Sequence, residues 1–480
     1  MVNFAKFVRL RDDCHMRREE FGVLIYLPGG TCVDVLPPIG AFAFALLDGK
    51  STIEDIGRTL ESILGLKHGS GESFVNSLIV QYQQFLYQSH TPSPSNRAIA
   101  LNKSDFIYDA PLWHDNISHA TYRLSAPITL TWITTRHCNL KCAYCYVDSD
   151  KTMDTTDKNP SETLDVERIC ELLVEAQILG VASVMITGGE PLLVKDIFKA
   201  IRKALQLGIS IELNTNGSLL GKPSIAESLK STGITDIMVS IDTSDPKTFA
   251  SLCGTTVTTH DHVLKGIRNC LANGIEVKTN TTLAAPTISK LASLIDLLAG
   301  LGVRQMLFSH YVGSFHNRKE HLFPSLDAYH QALIDLEAAR KRYPDITIDC
   351  PELKNIIAHL EKGSSPGTSR CDSLKRGLVI FPDGRSSFCD TLVGNTCEDS
   401  FMVGDIRKQS ITDIWASSRF TELLNPSRKD FAGTICEKCY LFEKCMSNGH
   451  CYSRALIRYG SGYAPDPFCP KVFETSYRLF

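Results

Sequence analysis

Ile128-Thr-Leu-Thr-Trp-Ile133, followed at once by Thr134-Thr-Arg-His137 and Cys138-Asn-Leu-Lys-Cys142-Ala-Tyr-Cys145, decides how this chain is read. The first six residues are β-branched, aromatic and apolar, which predicts a buried strand. Five more strand candidates follow: Ser183–Thr187, Ile211–Thr215, Asp236–Ile241, Glu276–Thr281 and Arg304–Ser309. Amphipathic stretches separate them. In Asp165–Leu179, for example, Val166, Ile169, Leu172, Leu173 and Ala176 share one helical face. Six strand–helix units predict a parallel sheet, either curled into a partial barrel or doubly wound, with chemistry at the C-terminal strand ends. The three cysteines stand at such an end.

Three thiolates so closely spaced can wrap one face of a cubane iron–sulfur cluster and leave one iron without a protein ligand. Structural zinc is the competing use, but it takes four ligands in closed coordination. Near the triad only His137 offers a fourth donor. The chain has 17 cysteines in 480 residues, and eight of them lie from Cys371 onward. Met1–Gly22 contains no long apolar run and does not read as a signal peptide. These features predict a cytoplasmic protein whose cysteines hold metal rather than disulfides. A net charge of −3 with 21% charged residues gives no electrostatic reason to expect nucleic acid. The apolar run Ile39–Leu47 is about half a membrane span, so no membrane association is expected.

The other strand ends carry short polar groups and glycines. The second closes in Thr187-Gly188-Gly189-Glu190-Pro191, the third in Thr215-Asn216-Gly217 and the fourth in Ser240-Ile241-Asp242. Each alone reads as a turn or helix cap. Together on one rim they suggest a site for a small molecule with an amino group and a ribose. With these residues the chain resembles the radical S-adenosylmethionine superfamily over about 200 residues. The resemblance rests on the CxxxCxxC triad with Tyr144 before its last cysteine, the Gly-Gly-Glu-Pro segment and the ordered polar rim. It implies a partial (β/α)6 barrel in which Cys138, Cys142 and Cys145 hold a [4Fe–4S] cluster. Gly188, Gly189, Glu190 and Pro191 match the segment that receives the methionine amino group. Tyr144, Asn216, Ser240 and Asp242 match further cofactor-binding positions. One electron would cleave S-adenosylmethionine to a 5′-deoxyadenosyl radical that takes hydrogen from a substrate. No general acid or base is assigned, so the catalytic residues stay unknown.

Downstream come Cys371, Cys389, Cys436-x2-Cys439-x5-Cys445, Cys451 and Cys469. Four of these, Cys436, Cys439, Cys445 and Cys451, would suffice for a structural zinc site. All seven resemble the SPASM extension of radical S-adenosylmethionine enzymes. That resemblance implies a first auxiliary [4Fe–4S] cluster on Cys371, Cys389 and Cys451. It implies a second on Cys436, Cys439, Cys445 and Cys469, which makes three clusters in all. Five residues separate Cys445 from Cys451, where the family pattern usually has three. The fourth ligand of the first auxiliary cluster stays open between Cys397, a substrate group and a bare iron.

Residues 1–90 read as a small α+β module. Its strands are Val2–Leu10, Phe21–Leu27 and Thr31–Leu36, with a hairpin turn at Pro28-Gly29-Gly30. Its helices are Ile39–Leu47, Thr52–Ile63 and Glu72–Tyr87, and Thr52 with Asp55 forms a capping box. Arg18-Glu19-Glu20-Phe21-Gly22 and Leu47-Asp48-Gly49 make this module similar to the winged-helix-like peptide chaperone of pyrroloquinoline quinone biosynthesis. That family recognises ribosomally made precursor peptides. A linker is expected over 91–125, opened by Ser89–Asn96 with its two prolines, then the barrel over 126–330, a bridging region over 331–370 and the SPASM domain over 371–480. The combined resemblance implies a peptide maturase that binds a leader and installs a thioether or carbon–carbon cross-link, with electrons from a flavodoxin or ferredoxin. A formylglycine-forming sulfatase maturase and a non-catalytic, zinc-stabilised peptide-binding protein are the alternatives.

Overall fold

The computed structural model describes residues 6–27, 33–94, 103–108, 123–147, 149, 164–314, 317–362, 371–392, 398–447, 449–467, 469 and 471–472. The chain divides into two compact units, Met1–Ser125 and Ala126–Phe480.

The first unit contains β1 (Phe7–Leu10), β2 (His15–Glu19), β3 (Gly22–Tyr26), β4 (Val33–Leu36), β5 (Asp48–Thr52) and β6 (Leu86–Ser89). They form two three-stranded antiparallel sheets, ordered β5-β1-β6 and β2-β3-β4. Helices Pro38–Leu46, Ile53–Leu64 and Ser70–Gln81 pack on them around Val23, Ile25, Leu36, Phe44, Leu60 and Phe85. Thr52 caps the second helix as its sequence predicts, its Oγ1 accepting from the Asp55 N–H at 3.1 Å.

Three strands here were not anticipated. β2, β5 and β6 are all edge strands with polar sequences, and an edge strand paired on one side needs no apolar alternation to form. The third helix stops at Gln81, and the remainder of the expected helix becomes a short 3-10 turn and β6. Within the expected linker, Phe106 and Tyr108 are buried in the unit's core, and the Tyr108 hydroxyl donates to the Gly22 carbonyl. Pro28-Gly29-Gly30 lies outside the described residues.

The second unit is built on one ten-stranded sheet. β7 (Thr129–Ile133), β8 (Ser183–Thr187), β9 (Ser210–Thr215), β10 (Asp236–Ser240), β11 (Glu276–Leu283) and β12 (Gln305–His310) are parallel and adjacent in chain order. An order without reversal distinguishes a barrel-like winding from a doubly wound sheet, which must reverse at a switch point. The helix Val166–Ile178 buries the expected face of Val166, Ile169, Leu172, Leu173 and Ala176, together with Cys170. Asp165 caps it, accepting from the Glu167 N–H at 3.2 Å.

The sheet continues beyond the six expected strands. β13 (Thr347–Asp349) adds in parallel to β12. On the opposite side β14 (Gly377–Ile380) lies parallel to β7, with Gly377 opposite Thr129 and Ile380 opposite Trp132. β15 (Arg385–Ser387) and β16 (Gly404–Asp405) extend it in antiparallel fashion. The cysteine-rich region, poor in periodic pattern, therefore docks on the barrel by backbone pairing. Among the described residues no helix is long and apolar enough to cross a membrane.

Candidate cofactor and cluster sites

The loop after β7 is fixed from two sides before any cofactor is considered. On one side the Lys141 N–H donates to the Cys253 carbonyl at 2.9 Å, and that of Ala143 donates to Leu252 at 2.7 Å. On the other, the Gly189 and Glu190 N–H groups donate to the carbonyls of Thr135 and His137 at 2.6 and 2.9 Å. This approach explains the paired glycines. A Cβ on Gly189 would lie 2.1 Å from the His137 oxygen, and Gly188 adopts φ +142° with its own Cβ position 2.7 Å from the Thr135 oxygen.

The loop and the rim enclose a cavity of about 140 Å³. Cys138, Cys142 and Cys145 line it, as do Gly188, Gly189, Tyr144, Asn216 and Ser240. The Asn216 amide reaches toward the Cys138 sulfur at 3.7 Å and donates to Asn139 Oδ1 at 3.0 Å. Among the described residues no three His, Cys, Asp or Glu side chains close around one ion-sized point. A cubane offers each thiolate its own iron, which spaces its ligands more widely. Burial pushes the Cys138 thiol up to about 11, so loading metal here must release protons. Three thiols, a glycine-lined approach and a polar rim in one cavity fit a cluster together with a bound amino acid derivative.

Two predicted contacts sit behind the cavity wall. Glu190 is completely buried. Its carboxylate accepts from Leu192 N–H at 3.0 Å, the Thr215 hydroxyl at 2.7 Å and Asn216 N–H at 2.8 Å. Three of its roughly four acceptor positions are thus taken, and it ties the end of β8 to the end of β9. Pro191, also buried, opens the short turn that aims Leu192 at this carboxylate. Asp242 accepts from the Tyr144 hydroxyl and, at 2.7 Å, from Thr282 N–H. In this arrangement Asp242 anchors the aromatic of the cysteine loop.

Burial pushes the Asp242 carboxyl from its ordinary 3.8 up to about 6, against the Tyr144 and Thr282 hydrogen bonds that lower it. The folded chain therefore holds this proton more tightly than the unfolded chain. The stability this provides is complete below about pH 4 and is lost as the pH rises through about 6. Asp242→Asn cannot ionise, so its melting temperature should fall less between pH 4.5 and 7 than that of the parent chain. The difference in stability change should reach up to about 2 kcal/mol over this window, and parallel melting profiles would contradict it.

Sequence reasoning missed several cavity residues. Asn214 stands two positions before Asn216, so strand alternation alone could have placed both on one face. Its Oδ1 is buried without a hydrogen-bond partner. Tyr146 also lines the cavity and stands within electrostatic reach of Asp390. Nothing local in sequence marks that long-range role. Cys253, left without a role by the sequence, forms part of the same wall.

The C-terminal cysteines fall into two neighbourhoods. Cys389 is within electrostatic reach of Cys371 and Cys451. Cys436 is likewise near Cys439, Cys445 and Cys469. Thr391 links the first group inward, its hydroxyl 3.1 Å from Cys389 Sγ and 2.6 Å from Ser453 Oγ. In the second group Arg428 donates to the Cys439 carbonyl at 2.9 Å. The longer Cys445–Cys451 spacing spans the end of helix Phe442–Ser447 and the N-cap of helix Tyr452–Tyr459. Cys397 lies outside the described residues.

Comparison with known proteins bears on the same segments. Residues 132–298 match the Radical SAM superfamily, and residues 371–440 match SPASM, an iron-sulfur cluster-binding domain. A Fe-coproporphyrin III synthase of Methanosarcina barkeri is 26% identical over 71% of this chain and 87% of its own length. A PqqA peptide cyclase of Methylobacterium nodulans is 26% identical over 73% of this chain and 87% of its own. Among solved structures, Streptococcus suis SuiB bound to S-adenosylmethionine superposes with a TM-score of 0.68 at 18% identity, covering 96% of this chain and 100% of that one. SuiB bound to precursor peptide SuiA gives 0.66 at the same identity, covering 96% and 99%. With a barrel wound in chain order, a cysteine loop at its rim and a SPASM region paired to its first strand, the chain is a SPASM-type radical SAM enzyme that uses S-adenosylmethionine and iron–sulfur clusters.

Proposed function

We propose that this enzyme modifies a ribosomally made precursor peptide, gripping its leader through residues 1–90 and forming an intramolecular thioether or carbon–carbon cross-link in its core. The observation carrying this reading is the extent of the fold likeness. SuiB, solved with a precursor peptide, covers 96% of this chain. Among the described residues, the first unit also offers sheets whose outer strands pair on one side only, and such edges accept an extended peptide as an added strand.

In this reading Cys138, Cys142 and Cys145 hold the cluster that binds S-adenosylmethionine. When bound, the pair supplies one-electron cleavage and hydrogen-atom abstraction from the substrate. Gly188 and Gly189 let the amino acid end of the cofactor approach the backbone, and Asn216 and Ser240 offer polar contacts inside the cavity. Tyr144 and Asp242 keep the cysteine loop seated. Cys371, Cys389 and Cys451 hold a first auxiliary cluster, and Cys436, Cys439, Cys445 and Cys469 a second, for three [4Fe–4S] clusters in total. A flavodoxin or ferredoxin is the reductant.

The test is mass spectrometry of a precursor peptide incubated anaerobically with the enzyme, S-adenosylmethionine and a reductant. A cross-link removes a pair of hydrogen atoms and nothing else, whereas formylglycine formation from cysteine removes a pair of hydrogen atoms and also exchanges the sulfur for oxygen. Separating the leader from the core should cost at least about tenfold in the apparent affinity of the core, equivalent to about 1.4 kcal/mol. A core modified equally well without its leader would remove the recognition role of residues 1–90.

A further inference from the structure

His260 is buried behind the cavity wall, and the proposed set of cofactor and cluster residues gives it no task. It lies on the helix Val257–Ala272 and is 1% exposed. Its Nε2 stands 3.1 Å from the carbonyl oxygen of Thr243, which is itself fully buried. A carbonyl only accepts, so Nε2 is the donor, and Nδ1 is left buried without a hydrogen-bond partner. Among the described residues no other donor reaches the Thr243 carbonyl. A buried carbonyl without a donor is costly, so this contact is directional and not mere filling of space.

Both contacts of the ring lead to the cavity. Thr243 directly follows Asp242, which seats Tyr144 of the cysteine loop, and it stands just beyond Ser240 on the cavity rim. The His260 ring meets Phe249 edge-on with centroids 5.2 Å apart, and Phe249 lines the cavity. Phe249 belongs to the helix Pro246–Leu252, whose last carbonyl receives the Ala143 N–H at 2.7 Å. One imidazole thus ties the rim after β10 to the apolar wall of the same cavity. The start of that helix has its own anchor: Asp245 accepts from the Thr248 N–H at 3.1 Å and from Lys290 Nζ at 2.9 Å. Losing the imidazole should therefore shift rim and wall locally and leave the barrel folded. We propose that His260 is a positioning residue of the S-adenosylmethionine site, holding the Thr243 carbonyl and Phe249 so that Ser240 and the wall meet the bound cofactor in fixed places. This inference rests on reading the cavity as the cofactor site.

The parent chain, His260→Phe and His260→Gln are melted in the metal-free form, then reconstituted anaerobically and assayed for iron. Phenylalanine keeps a ring against Phe249 but has no donor, whereas glutamine carries an amide N–H as many bonds from the backbone as Nε2. Equilibrium dialysis reads the affinity for S-adenosylmethionine, and release of 5′-deoxyadenosine gives KM and kcat. At equal iron, His260→Phe should bind the cofactor about fivefold more weakly, the effect of one buried hydrogen bond, and should raise KM more than it lowers kcat. His260→Gln should stay within about twofold of the parent. Equal affinity in all three proteins overturns the proposal. Equal weakening in both variants reduces His260 to packing. Loss of iron from His260→Phe makes the contact a support of the cysteine loop instead, which overturns the proposal as well. A parent chain that holds its iron but binds no S-adenosylmethionine fails the reading of the cavity, and this inference with it.

Discussion

Cys142→Ala should abolish reductive cleavage of S-adenosylmethionine and remove about four irons per chain, the content of one cubane. The central thiol of the loop has no substitute with equivalent geometry. Its neighbours Lys141 and Ala143 are pinned by backbone bonds to Cys253 and Leu252, so the loop cannot slide another residue into place. The same bonds survive the substitution, which predicts that the fold stays intact and that precursor peptide still binds. Iron and sulfide analysis, with chromatographic quantification of 5′-deoxyadenosine, reads the result. Wild-type cleavage by this variant would mean that the cofactor is activated elsewhere. Zinc in place of iron in the parent chain would end the radical reading altogether.

Glu190→Gln should be the most damaging conservative substitution in the barrel. The glutamate oxygens receive three donors in a fully buried site. Glutamine keeps the volume but turns an N–H2 group toward at least one of those donors, leaving buried polar groups without partners. The expected cost is about 2–4 kcal/mol. The backbone of this residue also holds the His137 carbonyl, so the damage should spread to the cysteine loop. Melting of the metal-free chain should drop by several degrees, and iron occupancy after reconstitution should fall with it. Unchanged melting and full S-adenosylmethionine binding would show that the brace between β8 and β9 is dispensable.

The barrel was legible because its strands alternate a buried apolar face with a partly buried one and have sharp ends. Ser183–Thr187 coincides with β8, and the other five strands shift by a residue or two. The edge strands β2 and β5 were hidden by their polar composition, and β14 by its distance in sequence from β7. For the site, adjacency worked and long-range pairing did not. The triad and the two glycines announce themselves locally, and all five line the cavity. That Glu190 and Asp242 are engaged by Thr215, Asn216 and Tyr144 depends on how strand ends meet in space. Cys253 shows the same limit: only the folded chain brings it to Cys142.

The pairing of β14 with β7 also bears on how the protein is made. Thr129 emerges from the ribosome long before its neighbour Gly377. Throughout that interval β7, with Leu130, Trp132 and Ile133 destined for the core, presents an unsatisfied backbone edge. Such an edge invites pairing with other nascent chains. A shortened protein ending before residue 371 would keep that edge for life and should collect in inclusion bodies. The cysteine-rich region thus acts as a seal on the barrel as well as a holder of metal.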